Sequence, residues 1–358
     1  MTWRCVERAS FQECAYDVVS HPQTFLLSLP ALPLARGGRV RSHRAAAWWW
    51  SRAGDTPTAP LADVPTVLLV HALTGSAQAG GPDGWWEPLI GPGLALDTDK
   101  FRVLCFNNLG SFYGSSAPGA PGFPRGKKAR LTTVDLARAI VLGLDALGIK
   151  RVHLAAGGSL GGMIVLTLGA LAPQRFERLM PLATSARASA WMAGWNHVAR
   201  CLLQTDPGYP HHPTRGLEVA RQLAMLTYRA EPGLELKQSA ASIGSYLEHH
   251  GQKLHGRFTA ACYESQLDAM DSHDLTQRLP GTRGAALRRI VARTLAVAVD
   301  SDVLFTPAQT DAYVAALRAQ GTPITRATIR SPHGHDAFLL EWAQLEKLVR
   351  RALTLPVS

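Results

Sequence analysis

The sequence has no C-x-x-C pair, and its five cysteines, Cys5, Cys14, Cys105, Cys201 and Cys262, are odd in number. This excludes a self-contained disulfide scaffold and reads as free thiols in a reducing compartment. No apolar run approaches the length that spans a bilayer, and the opening Met1-Thr2-Trp3-Arg4-Cys5-Val6-Glu7-Arg8 lacks the apolar core of a signal peptide. A soluble, cytoplasmic protein with no membrane partner is therefore expected. No Gly-x-Gly-x-x-Gly and no P-loop occurs, which argues against nucleotide cofactors held in that manner. His211-His212 and His249-His250 lack regularly spaced partners, so no metal is expected. The formal net charge of +10 is spread along the chain without a long basic run, and nucleic acid is not an expected partner. There is no internal repeat.

An apolar fraction of 46% with 18% charge over 358 residues gives enough material for a large core, in one elaborated domain or two. Residues 1 to 60 are hard to read, although Arg36-Gly37-Gly38-Arg39-Val40 has the form of a hairpin turn and Ala45 to Trp50 that of a strand following it. Three adjacent tryptophans there suit core and rim packing. After a linker from Ser51 to Ala62, buried strands are expected at Val67 to Val70 and Phe101 to Phe106, and an amphipathic helix from Thr133 to Leu147, capped by Gly148. A further strand is expected at Arg151 to Leu154, a helix at Ile164 to Leu171, and a strand at Leu179 to Ala183. The alternation then stops. Helical patterning fills Trp191 to Leu203, Thr214 to Tyr228, Ser239 to Leu247 and Phe258 to Met270, before strands at 294–299 and 324–329 resume, with helices at Ala308 to Ala319 and Ala337 to Leu353. Such alternation implies a mostly parallel sheet with helices on both faces. The organisation expected is a core from 1–184, a helical lid from 185–287, and the rest of the core from 288–358.

Chemistry enters at Ala155-Ala156-Gly157-Gly158-Ser159-Leu160-Gly161-Gly162-Met163. Turning a strand into a helix over so few residues strains the central one and crowds neighbouring backbones, so glycines flank the serine. The serine oxygen then stands at the carboxyl edge of the sheet, with the Leu160 N–H aimed where an oxyanion would form. The loop His71-Ala72-Leu73-Thr74-Gly75, leaving another strand, offers the Leu73 N–H as a second donor. Asp300 and Asp302 both follow the 294–299 strand, and His333 and His335 the 324–329 strand. Nucleophile, acid and histidine thus fall in the chain order of an α/β-hydrolase, with His335 as the base for Ser159 and either aspartate as its orienting acid.

Further blocks carry a resemblance. His71 to Gly75, Gly84-Trp85-Trp86, Leu89 to Gly93, Ala95 to Thr98, Gly157 to Met163, Ser245-Tyr246-Leu247, Asp300 to Phe305 and Gly334 to Leu339 together resemble the homoserine O-acetyltransferase family, an acyltransferase branch of the α/β-hydrolase fold. The resemblance covers most of the chain from about Val67. It implies a triad of Ser159, Asp302 and His335, an acyl-CoA co-substrate with no permanently bound cofactor, an amino-acid hydroxyl as acceptor, and a homodimer formed through the lid. It also implies that Arg229 holds the acceptor's carboxylate, for which a guanidinium fork is suited. Asp336 beside the base would hold its ammonium, and Arg200 is an alternative to Arg229 as the carboxylate partner. The chain departs from the family pattern at Ser76, Gln78, Ser111, Phe112, Ile164 and Trp48 to Trp50. The expected activity is transfer of an acetyl or succinyl-like group through a serine acyl-enzyme. The alternatives are an esterase or thioesterase with water as acceptor, and a non-catalytic ligand-binding protein of the same fold.

Overall fold

The computed structural model describes residues 6–8, 11–13, 23–52, 64–280 and 282–356. Cys5, Cys14 and most of the expected 51–62 linker lie outside these. Eight strands form the central sheet: β1 (Gln23–Leu29), β2 (His43–Trp50), β3 (Thr66–Val70), β4 (Arg102–Phe106), β5 (Leu154–Gly158), β6 (Arg178–Leu182), β7 (Arg293–Val299) and β8 (Ile324–Ile329). Their order is β1-β2-β4-β3-β5-β6-β7-β8, with the short strands Val6–Arg8 and Phe11–Glu13 added outside β1. From β4 to β8 neighbouring strands are parallel, while β1, β2 and β4 pair antiparallel. The parallel strands β3 to β6 are buried throughout, as expected for a sheet covered on both faces.

Strand periodicity divides the core in two. Leu68 and Val70 of β3 join one apolar cluster, together with side chains of α1 (Thr133–Ala146), α2 (Leu160–Leu171) and α8 (Pro307–Ala319). Val67 and Leu69 join the opposite cluster, with α9 (Trp342–Leu353) and Trp86. The expected hairpin is present, Leu32–Pro33 pairing with Arg39–Val40 around Gly37 and Gly38 at positive φ. Helix α1 starts on a reciprocal cap in which the Thr132 hydroxyl accepts from the Asp135 N–H and the Asp135 carboxylate accepts from the Thr132 N–H. The same buried carboxylate takes the Ala35 N–H at 2.7 Å, tying the hairpin to the helix.

Between β6 and β7 the chain builds α3 (Ala190–Gln204), α4 (Thr214–Tyr228), the short α5 (Glu231–Glu235), α6 (Ile243–His255) and α7 (Ala260–Asp271). Helix α4 packs on α3 and α6, and α7 on α3 and α1. The base of this insertion is closed where the Leu275 N–H donates to Ala186 and the Ala188 N–H to His273. Arg200 is held within it by Asp268 at 3.2 Å and Asp271 at 2.7 Å. Among the described residues no helix is long and apolar enough to cross a membrane.

Four elements differ from the sequence reading. The nucleophile strand runs Leu154–Gly158 rather than Arg151 to Leu154, because β3 and β6 on either side supply its hydrogen-bonding partners and override the weak strand preference of Ala and Gly. Helix α2 starts at Leu160, four residues before Ile164, since the turn is completed at Ser159 itself. The helix expected at Ser239 to Leu247 is Ile243–His255, after a serine-rich turn in which Ser239 and Ser242 bond each other. The last helix is broken: a 3₁₀ segment, Gly334–Leu339, carries His335, and α9 follows separately.

Candidate active site

Ser159 sits at φ 58° and ψ −125°, a left-handed conformation that a side-chain-bearing residue adopts at a cost of roughly 1 to 3 kcal/mol. Its surroundings leave no alternative. A Cβ on Gly161 would lie 2.2 Å from the Val70 carbonyl oxygen, and one on Gly157 2.7 Å from the same atom, so the bend is pressed onto the end of β3. The Ser159 N–H donates to Leu182 of β6 at 3.0 Å, and the Thr184 hydroxyl donates to the Ser159 carbonyl at 2.9 Å. Helix α2 begins at the next residue, which places the positive end of its dipole beside the serine.

His335 is buried, and its Nδ1 lies 2.7 Å from Asp302 Oδ2. The other oxygen of Asp302 accepts the N–H groups of Leu304 and Phe305 at 2.8 and 2.9 Å, which fixes the carboxylate. Asp300 is turned elsewhere: it accepts the Ser331 N–H at 3.0 Å and fastens the histidine loop to the end of β7. Of the two aspartates left open by strand order, Asp302 is therefore the one that meets the imidazole. Phe305 stacks on that ring at 5.3 Å, Phe338 meets it edge-on at 5.5 Å, and Tyr228 lies at 5.8 Å. Phe338 can approach because position 158 is glycine, where a Cβ would stand 2.4 Å from its ring. Burial disfavours the charged imidazole, but the Asp302 carboxylate and the charge of Asp336 outweigh it and raise the His335 pKa above its ordinary value. Among the described residues Nε2 has no hydrogen-bond partner, and it is the ring nitrogen left to act.

Ser159 and His335 line one cavity of about 640 Å³, together with Leu73, Thr74, Tyr113, Arg221, Tyr228, Arg257 and Asp336. The Leu160 N–H is the first of α2, and Leu73 occupies the first central position of a turn closed by the Gly75 N–H on the Ala72 carbonyl at 3.0 Å. Among the described residues neither of these two N–H groups has an acceptor. The turn is held by His71, whose Nε2 accepts the Asn108 N–H at 2.9 Å while Nδ1 donates to the Ala72 carbonyl at 2.7 Å. Burial pushes the His71 pKa down to about 4, so this ring stays neutral and structural.

Arg229 does not line the cavity. It is the C-cap of α4 in extended conformation, and its Nε lies 3.2 Å from Asp336 Oδ2. The cation of α4 that lines the cavity, beside Lys253 and Arg257 from the neighbouring segment, is Arg221, two turns earlier, with its guanidinium over the Tyr228 ring at 5.3 Å and its Nη1 buried without a hydrogen-bond partner among the described residues. Helical spacing carried this signal, since positions 221 and 228 fall on one face while 229 lies beyond the last turn. Arg200 is likewise absent from the cavity, being consumed by its two aspartates. Arg257 and Lys253 at the cavity, and the aromatic box around His335, had no sequence motif to announce them. Among the described residues no group of three or more His, Cys, Asp or Glu is arranged to hold a metal ion.

Comparison with known proteins gives a consistent set of likenesses. The model of the α/β hydrolase fold matches residues 65–341. The homoserine O-acetyltransferase of Moorella thermoacetica is 37% identical over 317 residues, covering 79% of this chain and 84% of that protein. That of Trichormus variabilis is 38% identical over 367 residues, covering 95% and 97%. Among solved structures, homoserine O-acetyltransferase from Staphylococcus aureus superposes with a TM-score of 0.76 at 27% identity, covering 94% of this chain and 96% of that one. Esterase E22 superposes at 0.81 with 18% identity, covering 93% and 100%, a likeness of fold alone.

The raised His335 pKa has a measurable consequence. The imidazole accepts a proton only in its neutral form, so the rate at which a neutral phosphonate labels Ser159 falls as pH drops through a midpoint above the ordinary histidine value of about 6.5. Asp302→Asn lowers the rate and moves the midpoint down. A midpoint at or below the ordinary value, unmoved by Asp302→Asn, contradicts the assignment.

Proposed function

The chain belongs to the homoserine O-acetyltransferase family of the α/β-hydrolase fold, and from that membership we propose that it carries an acetyl group from acetyl-CoA to the hydroxyl of homoserine through an acyl-enzyme on Ser159. The observation that carries this reading is the meeting, in one cavity, of Ser159, a histidine held by Asp302, and an arginine with an unpartnered nitrogen. His335 Nε2 takes the Ser159 proton as Oγ bonds to the thioester carbon, and the oxyanion is received by the N–H groups of Leu73 and Leu160. The C–S bond breaks, the imidazolium returns the proton to the departing sulfur, and CoA leaves as the thiol. Homoserine then gives its hydroxyl proton to the same nitrogen and attacks the acyl carbon. Ser159 departs with that proton, and the acetyl ester leaves. No permanently bound cofactor is needed.

In this reading Arg221 receives the acceptor's carboxylate in place of Arg229, and Asp336 its ammonium, with Arg229 setting the position of Asp336; the support is that Arg221 and Asp336 line the cavity while Arg229 pairs with Asp336. The helical segment 185–287 acts as a lid. Closure of Gly334 to within 2.5 Å of the Ala230 N, for a Cβ placed there, supports its seating directly on the histidine loop. The cavity walls keep water from competing with the acceptor for the acyl-enzyme. We place the enzyme in the cytoplasm as a homodimer through this lid, where Trp191 and Val198 of α3 stand 55% and 42% exposed with Trp195 between them. A face of that kind is more than a scattered surface residue and suits a second copy.

Two measurements test the proposal. Arg221→Ala removes a charge partner whose loss costs about 2 to 5 kcal/mol, so kcat/KM for homoserine falls roughly thirtyfold or more while first-turnover release of CoA keeps its rate. Equal loss in both half-reactions, or free acetate as the main product at ordinary rates with homoserine present, contradicts it. Sedimentation gives twice the chain mass, and Trp191→Glu shifts it toward the single chain; an unaltered chain that sediments as a monomer at all concentrations contradicts the dimer.

A further inference from the structure

Arg257 has no part in the scheme above, yet it links the lid to the turn that carries Leu73. It lies in the connection between α6 and α7, and its single nitrogen Nη1 donates both to the Thr74 carbonyl at 2.9 Å and to the Tyr113 phenol oxygen at 2.6 Å. Among the described residues this is the one side-chain hydrogen bond from segment 185–287 to the loop 71–78. Thr74 is the second central residue of the turn closed by Ala72 and Gly75. The Thr74 carbonyl shares a peptide plane with the Gly75 N–H, which donates to the Ala72 carbonyl, and that carbonyl shares a plane with the Leu73 N–H, so a hold on Thr74 is passed to Leu73 through the turn. His71 holds the turn's first carbonyl from the core side, and Arg257 holds the Thr74 carbonyl from the lid side.

The other partner supports the same role. Tyr113 stands at φ 59°, a conformation that persists only where its surroundings fix it. Arg257 fixes its hydroxyl, while Phe112 and Phe258 meet its ring edge-on at 5.4 and 6.2 Å. Phe258 is itself buried in the core cluster next to Arg257, so the guanidinium is presented from a firm base. The arginine therefore clamps two loops of the sheet's carboxyl edge, those after β3 and β4, to the lid.

We propose that Arg257 is a positioning residue that holds the Leu73 N–H in oxyanion geometry while the lid is seated, so that formation of the acyl-enzyme depends on the lid. This rests on the reading of Leu73 as an oxyanion donor. An enzyme built this way does not acylate its serine with the cavity open to water, which guards the thioester against hydrolysis.

The test compares the unaltered chain, Arg257→Met and Arg257→Lys in single-turnover acylation of Ser159 by acetyl-CoA and by p-nitrophenyl acetate, a neutral donor without phosphates. Arg257→Met lowers the acylation rate about 10- to 100-fold with both donors, as expected when an oxyanion donor is displaced by a fraction of its contact distance. The half-saturating donor concentration stays within about twofold. Arg257→Lys, which keeps one donor within reach, restores part of the loss and carries the test should Arg257→Met fail to fold. A loss confined to acetyl-CoA and expressed as weaker saturation makes Arg257 a contact for donor phosphates and overturns the proposal. Unchanged acylation in both variants overturns it alone, whereas an unaltered chain that is never acetylated on Ser159 removes the serine reading and this proposal together.

Discussion

The site depends on a backbone contact that tolerates no side chain: Gly157 and Gly161 pressed against the carbonyl of Val70. That approach bends the chain from β5 into α2 within one residue and forces Ser159 to positive φ. It also sets the serine beside the loop that leaves β3 after Val70, so that Leu73 and Ser159 line one cavity, with the turn around Leu73 held by His71 and Arg257. The remaining parts are arranged around this contact. Phe338 fills the space left by the absent Cβ of Gly158 and walls the imidazole, and the Trp86 indole N–H donates to the Phe338 carbonyl at 3.0 Å to hold it there.

The second constraint is electrostatic. A buried histidine would ordinarily lose its affinity for protons, as His71 does in the same neighbourhood. His335 differs because a fixed carboxylate lies 2.7 Å from its Nδ1, and a second charge, Asp336, follows it in the chain. Two buried imidazoles thus take opposite directions, one neutral and structural, the other poised to carry a proton, and the difference lies in their partners rather than in their burial.

Much of this was legible in the sequence because the governing features are local or ordered along the chain. The glycines around Ser159, the His71 to Gly75 loop, and the succession of serine, acid and histidine at strand ends need no tertiary knowledge. Strand order left Asp300 and Asp302 equivalent; only the packing shows that Asp300 ties Ser331 while Asp302 meets the ring. Arg229 lies against Asp336 and outside the cavity lining for a related reason. A motif identifies a residue but not the turn at which its helix ends, and α4 stops one residue before it, leaving Arg221 to face the cavity. Strand β1 escaped notice although Phe25, Leu27 and Leu29 alternate inward, since its neighbours in sequence give no second strand of comparable clarity until β2. Arg257 was invisible for a deeper reason: its partners are a carbonyl 183 residues away and a phenol 144 residues away, and no local pattern encodes either.

Esterases share this fold, so the triad alone does not decide whether water or an amino-acid hydroxyl completes the reaction. The distinction rests on a covalent intermediate that waits for its acceptor. The most direct measurement is the mass of the intact chain, and of its Ser159 peptide, after rapid mixing with acetyl-CoA without homoserine and again after homoserine is added. One acetyl group is expected on Ser159, persisting until homoserine is added and then appearing as O-acetylhomoserine. An unmodified Ser159 in a chain that still turns over both substrates, or an acetyl group lost to water as fast as to homoserine, would contradict this expectation.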